Sequence, residues 1–118
     1  MAGLVSLEDA KAYLRVDSDY EDATVITPLL QSAEAYCMEM ARLSQSEWDA
    51  IVTGNYVDSL EIRGEERDAD DISGWRDMLR MSVLFALGYL YEHREEADHH
   101  AMALALRSLL YPVREGVF

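Results

Sequence analysis

The stretch Met78-Leu-Arg-Met-Ser-Val-Leu-Phe-Ala-Leu-Gly-Tyr-Leu-Tyr91 decides the fold of this chain. It is nearly apolar, but it is shorter than the roughly 20 residues that a membrane-spanning helix needs. At helical spacing its apolar side chains fall on two sides, Leu79, Val83, Ala86 and Leu90 on one and Met78, Met81, Phe85 and Tyr89 on the other. A helix from about 75 to 93 with two apolar sides needs cover from other helices. The stretch therefore predicts the buried core helix of an α-helical domain.

Three further helices are predicted around this core helix. The first runs from about 6 to 15, with the Ser6 hydroxyl as its N-cap. The second runs from about 20 to 43, and we expect it to continue through Pro28 with a kink. Its apolar face repeats at intervals of three and four residues: Ala23, Ile26, Leu30, Ala33, Cys37 and Met40. The last helix runs from about 99 to 110 and stops before Pro112. The predicted fold class is all-α, with four helices in a single domain over 1–118.

The segment 44–74, between the second and third of these helices, loses the helical periodicity. It contains a possible short helix that ends near Val52 and a β-like segment over Tyr56–Ile62. Its second half is rich in acids: Asp58, Glu61, Glu65, Glu66, Asp68, Asp70 and Asp71. Such a charge run is typical of a solvated chain. We therefore expect a long, acidic and mobile surface insertion.

The charge balance excludes one class of function. The chain has 118 residues, with 23 acidic against 10 basic side chains and a formal net charge of −13. Such a protein repels the phosphate backbone, so we do not expect it to bind DNA by neutralising phosphates.

The single cysteine, Cys37, cannot form an internal disulfide. The first residues lack a basic region followed by an apolar stretch, so no secretory signal is predicted, and we expect the protein to remain in the compartment where it is made, the host cytoplasm.

Residue patterns for catalysis are weak. No nucleophile elbow, phosphate loop or dinucleotide fingerprint occurs in the sequence. Glu96 and His99 have the spacing of di-iron sites, but the three histidines cannot supply a second such pair. A zinc site at His93 and His99, or a metal-dependent enzyme that also uses His100, remains an alternative. We expect no enzyme, no catalytic residue, no metal and no cofactor. The chain has more aromatic and methionine side chains than four short helices can bury. This excess favours a protein that interacts with other proteins.

Three strings carry a resemblance. They are Val5-Ser-Leu-Glu-Asp-Ala-Lys-Ala-Tyr-Leu-Arg-Val-Asp17 with the acidic turn Asp19-Tyr-Glu-Asp-Ala23, then Tyr89-Leu-Tyr-Glu-His-Arg-Glu95, then Leu106-Arg-Ser-Leu-Leu-Tyr-Pro-Val-Arg114. In this order they resemble the head-tail connector proteins of tailed bacteriophages, also called adaptor or head completion proteins. That family opens with a Ser-Leu-x-x-Ala-Lys-x-x-Leu-Arg-Val-Asp segment and closes with Leu-Leu-x-Pro-x-Arg. The first string is the most specific of the three.

The resemblance implies a structural virion protein at the head-tail interface. Connectors form a homo-oligomeric ring, commonly of twelve copies, between the portal protein and the tail or stopper protein. Viral DNA passes through the ring without sequence-specific binding, and no membrane is involved. An acidic lumen suits that task because it does not retain DNA.

The expected site residues fall into three groups. The candidates for portal docking are Tyr111, Pro112, Val113, Arg114, Val117 and Phe118, in a segment whose composition suits an extended conformation against another chain. Candidates for the channel wall are the seven acids of the insertion. Candidates for subunit contacts are Arg42, Arg76 and Arg80. The alternative function is an acidic helical adaptor, or a DNA mimic that inhibits a basic partner.

Overall fold

Six helices and one β-hairpin form the part of the chain that the computed structural model describes, residues 4–14, 23–93 and 98–116. The elements are α1 (Leu7–Leu14), α2 (Ala23–Met40), α3 (Gln45–Thr53), β1 (Ser59–Ile62), β2 (Glu65–Asp68), α4 (Ala69–Glu92), α5 (His100–Leu109) and α6 (Tyr111–Glu115). The predicted helical character is confirmed. Two short helices add to the four of the predicted fold class: α3 is the short helix that was predicted as possible within the segment 44–74, whereas α6 was not predicted.

The core lies between α2 and α4, which make the most extensive contact in the fold. One predicted apolar face of α2 and one of α4 point into this core. The fully or nearly buried side chains include Ile26, Leu30, Ala33 and Cys37 from α2 and Leu79, Val83, Ala86 and Leu90 from α4. α1 packs against both helices, and so does α5. Burial of this kind stabilises a domain by roughly 1.5–3 kcal/mol for each large aliphatic side chain.

α2 continues through Pro28, as the apolar pattern predicted. It ends by a Schellman motif, in which the Leu43 N–H donates to the Met38 carbonyl and the Arg42 N–H to the Glu39 carbonyl. Arg42 therefore adopts a left-handed conformation, with φ of 58°. Leu43, the next residue, is buried and supplies the apolar contact that usually accompanies this motif.

The segment 44–74 forms α3, the β-hairpin and the start of α4, so the expectation of an irregular excursion is wrong, whereas most acids of its second half are exposed, as expected. Ser44 caps α3 in a capping box with Glu47. β1 and β2 then pair as an antiparallel hairpin, with Ile62 opposite Glu65 across the two-residue turn Arg63-Gly64. Ile62 is buried and anchors the hairpin to the core. The β-like part of the segment was predicted, although the first residues of the predicted strand lie outside β1.

α4 begins at Ala69, before the predicted start near 75. Its N-cap is Asp68, whose side-chain oxygen accepts a hydrogen bond of 2.9 Å from the Asp71 N–H. Asp70 and Asp71 occupy the first turn, where negative charge is favoured by the helix dipole. The last acids of the run therefore start a helix.

The end of the chain differs from its prediction as well. α5 ends at Leu109, before Pro112, as predicted, but a further helix that was not predicted follows, and Pro112 stands in the first turn of this α6, where its missing N–H is not needed. Leu110 and Val113 are fully buried. The expected extended conformation is therefore wrong for Tyr111–Glu115, which form a helix packed on the core. Val117 and Phe118 lie outside the described residues.

Glu47 provides a test of the capping box. Its carboxylate accepts hydrogen bonds from the Ser44 N–H at 2.8 Å and from the Arg63 N–H at 2.7 Å. Partial burial raises the pKa of Glu47, but these bonds and the bond with the Ser44 side chain outweigh it, so the pKa lies below its ordinary value of 4.5. The ionised form therefore stabilises the fold above pH 4.5, and this contribution is lost as the pH falls through the lower folded-state pKa.

The substitution Glu47→Gln should lower the free energy of unfolding by about 1–2 kcal/mol at pH 7. The difference from the wild type should be smaller at pH 3 than at pH 7, because a lower pH favours the protonated form of the wild-type carboxylate. Urea unfolding at both pH values measures it. Glu61→Gln is the matched control, because Glu61 is an exposed acid in the neighbouring hairpin. Equal stability of Glu47→Gln and wild type at pH 7 would show that the charge of Glu47 contributes nothing, because a glutamine side chain can still accept these hydrogen bonds.

Candidate functional site

Two of the three histidines pack against tyrosines, and the third, His100, is exposed. The His93 ring stacks on Tyr89 with centroids 4.1 Å apart, and its Nδ1 lies 2.9 Å from the Tyr89 carbonyl oxygen. The His99 ring meets the rings of Tyr36 and Tyr89 at nearly right angles, with centroids 6.2 and 6.1 Å away. Over residues 4–14, 23–93 and 98–116, no three His, Cys, Asp or Glu side chains are placed to hold a metal ion. Glu96, the other half of the di-iron spacing, lies outside the described residues.

Cys37 is not a reactive group. Its side chain is fully buried. Burial, and to a smaller extent the nearby charge of Glu34, raises the pKa of the thiol to about 12. Because the thiolate is the reactive form, Cys37 behaves as a small apolar core residue.

The seven acids proposed for a channel wall do not form one equivalent group. Several have contacts inside the chain: Glu65 pairs with Arg67 at 2.7 Å, and Glu66 accepts a hydrogen bond of 2.7 Å from the Ser59 hydroxyl. Asp68 is the α4 cap described above. The side chains of Asp58, Glu61 and Asp70 are exposed and make no such contact with the described residues. These three acids are therefore the ones most available for contact outside the chain.

The three arginines proposed for subunit contacts lie in different environments. Arg80 pairs within the chain, with its Nη2 3.4 Å from Asp9 Oδ2. Arg76 is half-buried on α4. Arg42 lies at the end of α2, close to three other arginines from the hairpin and α6. The structure therefore does not bring the three together.

The residues proposed for portal docking are divided by α6. Tyr111 is 55% exposed and available to a partner. Val113 belongs to the core, and Arg114 donates a hydrogen bond of 3.1 Å to the Met40 carbonyl. Removing everything after Leu110 would therefore damage the core as well as a docking surface. A substitution at Tyr111 is the cleaner probe.

A cavity lined by aromatic side chains lies where α1 meets the last turns of α4. Its volume is about 520 Å³, and Tyr13, Phe85, Tyr91 and His93 contribute to its walls. Gly88 lies at the centre of this contact, because a Cβ at that position would stand 3.2 Å from the Tyr13 ring. The sequence indicates surplus aromatic side chains but not this meeting point, since Tyr13 and Gly88 are far apart along the chain.

Exposed apolar side chains extend this surface and define a second one. Met81 is 71% exposed, and with Phe85 and Gly88 it follows one side of α4 towards Tyr13. We call Tyr13, Met81, Phe85 and Gly88 the groove face. On α5 and α6 three further apolar side chains are about half exposed: Leu104, Leu109 and Tyr111. Leu104 is five residues from Leu109 and therefore lies on another side of α5, so we call Leu109 and Tyr111 the C-terminal face.

None of the described helices is both long and apolar enough to cross a membrane. The sequence matches no protein-family model and no curated protein, and the fold matches no solved structure.

Proposed function

We propose that this protein is a structural component of a tailed-phage virion, which assembles as a ring between the portal and the tail and forms part of the DNA channel. The single observation that carries the proposal furthest is the pair of unlike apolar surfaces, the groove face and the C-terminal face. A closed ring requires a heterologous interface, in which one surface of each copy contacts a different surface of the next. A chain that exposes two unlike apolar surfaces is suited to that arrangement.

The resemblance to connector proteins supports the same proposal. The part of its most specific string that the structure describes includes α1, whose N-cap is the Ser6 oxygen, 3.1 Å from the Asp9 N–H. Ala10 of this helix is fully buried, whereas Tyr13 is 49% exposed in the groove face. The string therefore contributes both to the core and to one of the two surfaces.

The charge of the chain suits a channel. A formal charge of −13 on each copy gives the ring a strongly negative field. Exposed acids such as Asp58, Glu61 and Asp70 would repel the phosphates of a passing duplex and keep it from adhering. Twelve copies, the number common in connectors, would line the passage with repeated carboxylates.

The test is the solution mass of the protein, alone and mixed with the portal protein of the same genome, by light scattering on a sizing column. We expect a ring, or a complex of many copies with the portal, in at least one sample. A partner can supply the template that sets the rotation of each subunit, so monomer in the sample without portal is compatible with the proposal.

Persistent monomer in both samples would contradict the proposal. The acidic adaptor or DNA mimic would then be favoured, since it acts as a monomer or dimer. The exposed acids of the hairpin are the feature that such a protein would present to a basic partner. Binding of that partner should weaken steeply with added salt.

A further inference from the structure

Four arginines meet in one pocket of this acidic protein. They come from the end of α2, from the hairpin and from α6, and they line a cavity of about 210 Å³: Arg42, Arg63, Arg67 and Arg114. Two carboxylates, Glu65 and Glu115, lie at the same cavity, which we call the arginine pocket. Positive charges outnumber negative ones here, although acids outnumber bases more than twofold in the whole chain.

The hydrogen bonds within the arginine pocket do not satisfy all the N–H donors of its arginine side chains. Arg63 donates to three backbone carbonyls and has little capacity left. Arg67 and Arg114 are different, because the Nε atom of each is shielded from water and makes no hydrogen bond in the described part of the chain. Arg114 Nε does form an ion pair with Glu115 Oε1, but at 3.7 Å the two atoms are beyond hydrogen-bonding distance. Arg42 reaches a carboxylate, that of Glu115, only at 4.0 Å. Buried charged donors without acceptors are costly, and an anion would satisfy them.

The guanidinium groups are also held in place before any ligand arrives. Arg67 lies over the fully buried Trp75, with its Cζ 5.4 Å from the ring centroid. Gly116 closes against it so tightly that a Cβ there would stand 2.6 Å from Arg67 Nη2. Burial, together with the charges of Arg42 and Arg107, lowers the pKa of Arg114. An excess of positive charge fixed by packing is the arrangement that recognises oxyanions.

Backbone conformation singles out the same place. Two non-glycine residues of the described chain have positive φ, Arg42 at 58° and Arg63 at 50°, and both line the arginine pocket. Glycine or asparagine is the ordinary residue at such positions. Arginine at both of them suggests that its side chain is retained at some cost to the backbone, which is common at functional sites.

We propose that the arginine pocket binds an oxyanion, a carboxylate or a phosphate group, with Arg42, Arg67 and Arg114 as the ligating side chains and Arg63 as the residue that positions the hairpin. The proposal does not depend on ring formation. Glu65 and Glu115 already offer carboxylates to these arginines from within the chain, at 2.7 Å from Arg67 and 3.7 Å from Arg114. An external oxyanion would enter between them and take up the remaining donors.

Thermal unfolding, followed by tryptophan fluorescence, tests the proposal with two probes, glutarate and inorganic phosphate. Ionic strength is held constant with sodium chloride, so that general screening does not contribute. The unfolding midpoint of the wild type should rise with probe concentration and approach saturation, as expected for a ligand that binds the folded state. A larger rise with glutarate would indicate a protein carboxylate as the natural ligand, and a larger rise with phosphate a phosphate group.

The variant Arg42→Gly separates binding from folding. Glycine suits the left-handed end of α2, so the midpoint without probe should increase. The probe concentration needed for the half-maximal rise should nevertheless increase at least about tenfold, since one charged ligating group is lost. Arg80→Gln, at the Asp9 pair, is the matched control and should respond to the probes as the wild type does. The proposal is overturned if neither probe raises the wild-type midpoint, or if Arg42→Gly responds like the wild type.

Discussion

The substitution Arg63→Asn is expected to destabilise the protein by about 1–2 kcal/mol, although asparagine is the residue that this turn favours. Arg63 and Gly64 both have positive φ in a two-residue hairpin loop, and Asn-Gly is the preferred sequence there. The arginine side chain, however, donates to the carbonyls of Ala41, at 3.1 Å, and Arg42, at 2.9 Å, and also to that of Val113. One guanidinium thereby joins the hairpin to the ends of α2 and α6.

The sign of this effect distinguishes two roles for Arg63. If only turn conformation matters, Arg63→Asn stabilises the protein; if the three hydrogen bonds matter, it destabilises it. Arg63→Gln, which gains nothing in the turn, should lose more, about 2–3 kcal/mol. Urea unfolding followed by circular dichroism measures both. The control is Arg80→Gln, whose partly exposed ion pair with Asp9 should contribute less than about 1 kcal/mol. An Arg63→Asn protein more stable than wild type would contradict the bridging role.

Periodicity predicted the centre of this fold well. The intervals between Ile26, Leu30 and Ala33, and those between Leu79, Val83 and Ala86, each identify a face that the structure buries. Apolar spacing carries this information because a helix places every third or fourth residue on one side, whatever it packs against. The Ser6 cap of α1 is confirmed for the same reason, since capping is a local interaction.

Local sequence patterns are less informative at two element boundaries, the start of α4 and the start of α6. The acids around Asp70 were interpreted as a solvated loop, yet acids after an Asp cap are equally typical of a helix N-terminus. Pro112 follows the end of α5, as expected of a helix stop, yet proline is also common in the first turn of a helix, and here it starts α6. In both cases one residue type is compatible with two local structures, and tertiary contacts such as the burial of Val113 decide which of them forms.

The arginine pocket could not be predicted from the sequence. Arg42 and Arg114 are separated by most of the chain, and Arg63 comes near them only because an Arg-Gly turn forms a hairpin there. Arg-Gly is not among the dipeptides that signal such a turn. Arg42 was proposed for subunit contacts on its charge alone. Its neighbours are known only from the fold.

Ring formation should fail when either apolar surface is altered. Met81→Glu places a charge in the middle of the groove face, and Tyr111→Ser removes the largest side chain of the C-terminal face. Both positions are well exposed, at 71% and 55%, so neither change should alter stability by more than about 0.5 kcal/mol. Each variant should run as monomer on the sizing column, under the conditions in which the wild type forms the ring. Val57→Ser is the matched control, because Val57 is an 86% exposed apolar residue that belongs to neither face.

Mixing the two variants tests whether the faces contact each other. In a heterologous interface, the groove face of Tyr111→Ser and the C-terminal face of Met81→Glu are both intact, so one copy of each variant can join. The remaining two faces of that pair are both damaged, and growth should therefore stop at a dimer. If each face contacted its own copy across a two-fold axis, each variant alone would retain one intact interface and form a dimer without mixing. A ring from either variant alone would show that the altered face is not part of the ring interface.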